Sequence, residues 1–164
     1  VADVLPDVLG PDLRVVFCGT AAGAASARAK AYYAGPGNAF WRTLHETGLT
    51  PVELVPAEFE RLPEHGIGLT DICKVLHGSD LEVGTAEFDI AGLETRIAAA
   101  EPANLAFNGK NAARGALERE VEYGLQPERI GGATIWVLPS TSGAARRFWD
   151  IRPWRALSAA AGGR

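Results

Sequence analysis

Three short apolar runs, each cut off by residues that do not extend it, constrain this chain more than any other feature. Residues 13–18 (Leu-Arg-Val-Val-Phe-Cys) stop at Gly19, residues 104–107 (Asn-Leu-Ala-Phe) run into Asn108-Gly109, and residues 133–138 (Ala-Thr-Ile-Trp-Val-Leu) stop at Pro139. Runs this short and this rich in β-branched and aromatic residues read as strands buried in a sheet. Helical patterns lie between them. Residues 90–100 place Leu93 and Ile97 four apart and end before Pro102, and residues 109–120 form a second long helical stretch. Asn38 is an N-cap for a helix through Phe40, Trp41, Leu44 and His45 that ends at Gly48. Residues 56–62 read as a short helix, and a last helix starts near Pro153, a residue suited to a first turn.

Strands alternating with helices predict an α/β fold: a three-layer α/β/α sandwich with a short, mostly parallel central sheet flanked by helices. A length of 164 residues suits a single domain, 1–164, with one core. No internal repeat or linker interrupts it. The remaining segments read as a Gly/Ala-rich loop over 19–27, a turn at Gly35-Pro36-Gly37, and a loop or short extended piece over 66–71. Ligands of such folds bind beyond the carboxyl ends of the strands. The loops expected there are 19–27, 108–110 and 139–147.

Composition narrows the function classes. Hydrophobic residues at 47% and charged residues at 22% are ordinary for a soluble globular chain. No apolar run reaches bilayer length, and the start lacks the basic and apolar regions of a secretion signal. The expectation is a cytoplasmic protein with no membrane partner. Cys18 and Cys73 are too few for a disulfide framework or a Cys-rich zinc site and read as reduced core thiols. His45, His65 and His77 fall outside metal-binding spacing, so no metal and no cofactor is expected. Net charge is −4, but it is uneven. After position 140 five arginines (Arg146, Arg147, Arg152, Arg155, Arg164) face one acid, Asp150. A local basic patch on an acidic body suits contact with a few phosphates; a solvated C-terminal helix would give the same pattern.

Five segments share an order and spacing across residues 13–150. They are Val16-Phe17-Cys18-Gly19-Thr20-Ala21-Ala22-Gly23; Tyr32-Tyr33-Ala34-Gly35-Pro36-Gly37-Asn38-Ala39-Phe40-Trp41; Gly66-Ile67-Gly68-Leu69-Thr70-Asp71; Phe107-Asn108-Gly109-Lys110 with the later Glu122-Tyr123-Gly124-Leu125-Gln126-Pro127; and Leu138-Pro139-Ser140-Thr141-Ser142-Gly143-Ala144-Ala145-Arg146. Together they resemble the mismatch-specific uracil and thymine DNA glycosylases. The resemblance implies a monomeric enzyme that acts on double-stranded DNA containing uracil or a G·U mismatch. It would flip the base out and cleave its N-glycosidic bond without a metal or cofactor. It places Gly19, Thr20, Gly23, Ser26, Tyr33 and Asn38 around the base. Tyr33 stacks on it, and backbone N–H groups near Thr20 and Tyr33 read its edge. Ser26 falls beside the base's 5-carbon, where it crowds a methyl group and favours uracil over thymine. On the DNA side the resemblance places Lys110, Ser140, Ser142, Gly143, Ala144 and Arg146.

Two departures stand out. The family's water-positioning asparagine is Ala21 here, with Ala22 in place of the following proline, and a bulky leucine wedge of bacterial relatives is Ala144. An alanine cannot orient water. Asp71, where the family carries a neutral or basic residue, is the candidate to replace it, as a base or as a stabiliser of an oxocarbenium-like sugar. Capping of a helix, or pairing with Lys74, is the bland account of Asp71. Asp80, Glu82, Glu87 and Asp89 read as a solvated loop, Glu46 as a solvent-facing helix residue, and His65 as a reserve helper of the leaving group. Trp41, Trp136, Trp149 and Trp154 read as core. Two rival functions stay open: a catalytically silent mismatch or lesion binder of the same fold, and a nucleotide-binding protein using 19–23 as a phosphate loop, which lacks the Gly-Lys-Ser/Thr ending that loop needs.

Overall fold

The computed structural model describes residues 3–78 and 88–162. Its frame is a five-stranded sheet, β1 (Val15–Gly19), β2 (Ile67–Asp71), β3 (Asn104–Asn108), β4 (Gly124–Ile130) and β5 (Ala133–Leu138), in the order β2-β1-β3-β5-β4. β2, β1, β3 and β5 run parallel, and β4 closes one edge antiparallel to β5. The helices are α1 (Ala24–Ala29), α2 (Phe40–Glu46), α3 (Ile90–Ala100), α4 (Lys110–Leu117) and α5 (Arg152–Ala160), with 3-10 turns over Pro56–His65 and Gly143–Phe148. This is the expected three-layer arrangement.

The period of two along each strand sorts side chains into two cores. Val15, Phe17, Ile67, Leu69, Ala106, Trp136 and Leu138 face one layer, where Leu44 of α2, Phe59 and Leu62 of the first 3-10 turn, and Trp154 and Leu157 of α5 cover them. Val16, Cys18, Leu105, Phe107, Ile135 and Val137 face the other, under Leu93 and Ile97 of α3 and the alanines of α4. Trp154 is fully buried and stacks on Phe17 at 5.4 Å. Trp41 and Trp136 are buried and Trp149 packs against the same cluster, as expected of core tryptophans. Both cysteines are free and buried.

Several local expectations are corrected. Residues 66–71, read as loop or extended, contain β2 (Ile67–Asp71), because the strand is held from both sides. β1 pairs on one side, and the extended N-terminal segment bonds on the other through Val8 and Leu69, each N–H donating to the other's carbonyl at 2.9 Å. Covering an edge in this way blocks pairing with foreign strands. Residues 19–27 are not all loop: α1 begins at Ala24. β4 carries no strand pattern legible in the sequence, because Pro127 and a register shift between Leu125 and Arg129 break its alternation, features that an edge strand tolerates. Its link to β5 is the two-residue turn Gly131-Gly132, with φ of 55° and 85°. Glycines accept that left-handed pair, and it is the turn a hairpin needs. α4 stops at Leu117, short of 120, where Glu118 turns left-handed. Asp89 is not part of a solvated loop but caps α3, accepting from the Gly92 N–H at 2.9 Å. Asp80, Glu82 and Glu87 lie outside the described residues.

Arg14 ties the amino ends of the strands to the helical layer. Its guanidinium donates to the carbonyls of Leu49, His65 and Ala161. His65 therefore sits at the end of the sheet away from the strands' carboxyl termini. That removes it as a helper of any leaving group bound beyond those termini.

Candidate functional site

Beyond the carboxyl ends of β1, β3 and β5 lies a cleft of about 1150 Å³. Its floor is Gly19-Thr20-Ala21, its walls are Ser26, Tyr33 and Asn108, and its rim carries Lys110, Arg114, Ser140, Ser142 and Arg146. All six residues assigned to base binding and all six assigned to DNA binding line this one cleft. Segments more than a hundred residues apart meet here because parallel strands deliver every βα loop to the same edge. Among the described residues, no aspartate, glutamate or histidine lines it, whereas three cations do. In a chain of net charge −4 that is a sorted field, suited to a polyanion.

The floor is fixed from behind. The carbonyls of Gly19, Thr20 and Ala22 accept from the N–H groups of Ile72, Cys73 and Gly78. Tyr33 is held in a left-handed conformation, φ 52°, an unusual backbone for a bulky residue. Four contacts hold it there. Ser26 Oγ accepts from the Ala34 N–H at 3.0 Å, the Trp41 indole donates to the Tyr32 carbonyl, the Tyr32 hydroxyl donates to Pro6, and the Tyr33 ring stacks on Phe40 at 4.0 Å. Ser26 is thus buried and sets the turn that presents Tyr33, while its own O–H proton stays available. Asn38 accepts from the Phe40 N–H at 3.0 Å, but it is not the expected N-cap: α2 starts one residue later, with Ala39 at the cap position and no side-chain cap, and Asn38 instead closes a turn in the cleft wall.

Asp71 is placed differently from the other candidates. It is the last residue of β2, opposite Gly19 in register, and shares its face of the sheet with Ile67 and Leu69. A carboxylate therefore ends an apolar row. It is buried and lies one layer beneath the cleft floor rather than among the lining residues. A β-carbon on Gly19 would stand 2.9 Å from Asp71 Oδ1 and 3.5 Å from the Tyr33 hydroxyl, so only glycine lets the carboxylate pack directly against the backbone of the floor. Asp71 caps no helix. Lys74 does not pair with it but with Asp7, at 2.9 Å, and donates to the Tyr32 hydroxyl. Asp7 also takes the Thr70 hydroxyl and the Arg96 guanidinium, and Arg96 donates to the Asp71 carbonyl. Burial raises the Asp71 carboxyl to about 6, opposed by Lys74, Arg96 and the Gly19 N–H and reinforced by Asp7. Burial and Asp71 push the Tyr33 hydroxyl well above its usual range. That hydroxyl is buried; the Asn108 side chain opposes the shift, but no well-formed hydrogen bond reaches it.

Asn108, not singled out from the sequence, ends β3 on the same face as Asp71. Its side chain donates to Thr141 Oγ1 at 2.9 Å and accepts from the Thr141 N–H at 3.0 Å, which locks the last loop against the sheet. The readable signal is an asparagine closing the apolar run Leu105-Ala106-Phe107, where a polar side chain reaches the ligand edge. Lys110 opens α4 with its ammonium 4.5 Å from the Tyr123 ring centre, next to the helix's free N–H groups. Ser140 and Ser142 accept from the N–H groups of Ser142 and Ala144, and each keeps a hydroxyl proton to donate. Arg146 folds back across the rim: a β-carbon on Gly37 would lie 3.2 Å from its Nη2.

Among the described residues no cluster of His, Cys, Asp and Glu is arranged to hold a metal ion, and no helix is long and apolar enough to cross a membrane. A family model described as the uracil DNA glycosylase superfamily matches residues 6–159. Among solved structures, the chain is similar to the solution NMR structure of a "putative Uracil DNA glycosylase" from Methanosarcina acetivorans. The two share 27% sequence identity with a TM-score of 0.68, over 96% of this chain and 95% of that one.

Proposed function

The chain belongs to the uracil DNA glycosylase superfamily, and on that premise we propose that it is a monofunctional DNA repair glycosylase. It removes uracil from duplex DNA, G·U mismatches in preference, and leaves an abasic site. The observation that carries this reading is the cleft's sorting of charge: cations and hydroxyls at the rim, no acid among the described lining residues, and one buried carboxylate behind the floor. Phosphates settle on the rim groups, and a mismatch lowers the cost of unstacking the base. The base then lies against the Tyr33 ring, whose other face is held by Phe40. The C1′–N1 bond breaks with its electron pair leaving on uracil, whose negative oxygen is met by backbone N–H groups near Thr20 and Tyr33. Water adds to C1′, and its proton is taken up by the Asp71 carboxylate packed directly behind Gly19 of the floor.

The test is direct. The protein is incubated with labelled duplexes carrying G·U, A·U or G·T and with single-stranded uracil, and abasic sites are then cleaved with alkali. The expected order has G·U fastest and G·T slowest, since Ser26 leaves little space for a 5-methyl group. Tyr33→Leu, which keeps an apolar contact for Phe40 but removes the stacking ring, is expected to lower kcat/KM on G·U about tenfold or more. An unchanged kcat/KM would remove Tyr33 from the pocket.

A second reading, a lesion binder that does not cleave, is favoured by one observation: the floor offers Ala21 to a bound base, and no acid or histidine is among the described lining residues. Retention of G·U duplex with no abasic product from any substrate would select it.

A further inference from the structure

We propose that Phe148 is the wedge that enters the duplex when the base leaves it. The inference rests on the reading above in taking duplex DNA as the ligand, and it assigns to this chain a role that Ala144 is too small to fill.

Six large apolar side chains are exposed among the described residues: Val52, Val55, Val75, Leu76, Leu125 and Phe148. Of these, Phe148 alone lines the cleft, and it is 57% exposed. It closes the 3-10 turn Gly143–Phe148, which is fixed at both ends. Ser142 caps its start, and the next residue, Trp149, packs 6.1 Å from Trp154 in the core. The chain thus anchors one aromatic and leaves its neighbour outside. Arg147 lies 4.8 Å from the Phe148 ring centre, so the ring stands beside a cation able to hold a phosphate. Arg146 lies over Gly37 and Gly143 on the rim, beside the turn that carries Phe148. Proteins that unstack a base step insert an apolar side chain, phenylalanine among them. A planar ring also recovers stacking that an aliphatic wedge does not.

The experiment uses a G·U duplex with 2-aminopurine beside the uracil, whose fluorescence rises when the step opens, together with cleavage of that duplex and of single-stranded uracil. Phe148→Ala is expected to lower the fluorescence change and the duplex cleavage rate about tenfold. Cleavage of the single strand, which has no stack to fill, is expected to stay unchanged, and Phe148→Leu to recover most of the loss. An equal loss on duplex and single strand, no loss at all, or no fluorescence change with the wild type would overturn the wedge. A wild type that opens the duplex but cleaves neither substrate would sink the glycosylase reading, and the fluorescence of Phe148→Ala would still decide the wedge.

Discussion

Asp71→Asn is expected to lower the rate of uracil release from G·U duplex about 100-fold or more, the contribution of a positioned general base, and to make the protein more stable at neutral pH. The two effects come from the same burial. The folded carboxyl titrates near 6, against 3.8 for the ordinary group, so the folded state holds its proton more tightly than the unfolded chain does. The stability this contributes is fully present below about pH 4 and is lost as pH rises through about 6. A neutral asparagine escapes that loss, for a gain of up to about 3 kcal/mol at pH 7, and its carbonyl still accepts from the Gly19 N–H. Catalysis runs the other way, since only the ionised carboxylate takes a proton from water. Wild-type single-turnover rates should therefore climb through about pH 6 and level off above it. Rates from about pH 5 to about pH 8, with thermal melts of both proteins at the same pH values, check this. A rate unchanged by Asp71→Asn would leave any glycosylase activity standing and remove Asp71 from the reaction. A drop in melting temperature at pH 7 would mean that Asp71 serves the fold through its charge.

The second large effect is expected at Gly68. A β-carbon there would stand 2.6 Å from the Val8 carbonyl oxygen and 2.7 Å from Leu13 Cδ1. The first obstacle is backbone, so the N-terminal segment must lift from β2 or the strand must shift. Overpacking of this kind costs about 3 kcal/mol, and Gly68→Ala is expected to lower the melting temperature by roughly 6–12 °C. The damage should also travel. Asp7, next to Val8, holds Thr70, Lys74 and Arg96, and Lys74 and Arg96 are the cations that oppose the raised pKa of Asp71. If Asp7 leaves, those cations turn to Asp71, and the pH at which the rate levels off falls. A melting temperature within about 1 °C of wild type would show that the N-terminal segment is not clamped on β2.

Gly68 also marks where the sequence stops being readable. Residues 66–71 hold two glycines in six positions, which locally reads as loop. They form a strand because β1 on one side and residue 8 on the other supply partners, and nothing within the segment records either. β4 was hidden for a related reason. An edge strand has a hydrogen-bonding neighbour on one side only, so it keeps a proline and a register shift that a central strand would not tolerate. The local signal for β4 is Gly131-Gly132, the pair that a two-residue hairpin turn needs.

The sequence by itself determined the layered α/β architecture, because strands buried on both faces must be apolar throughout and the helices that cover them carry a stripe of matching period. It also determined where the cleft residues gather, since parallel connections bring loops around residues 20, 109 and 142 to one edge whatever their separation in the chain. The tertiary structure decided the states of individual groups. It put Asp71 beneath the floor, gave Lys74 to Asp7, spent Ser26 on the Tyr33 turn, sent His65 to the far end of the sheet and left Phe148 outside while burying Trp154. Each of those outcomes depends on distances between segments far apart in the chain, and a carboxylate's charge, a hydroxyl's partner or a ring's exposure is set by what stands within a few ångströms of it.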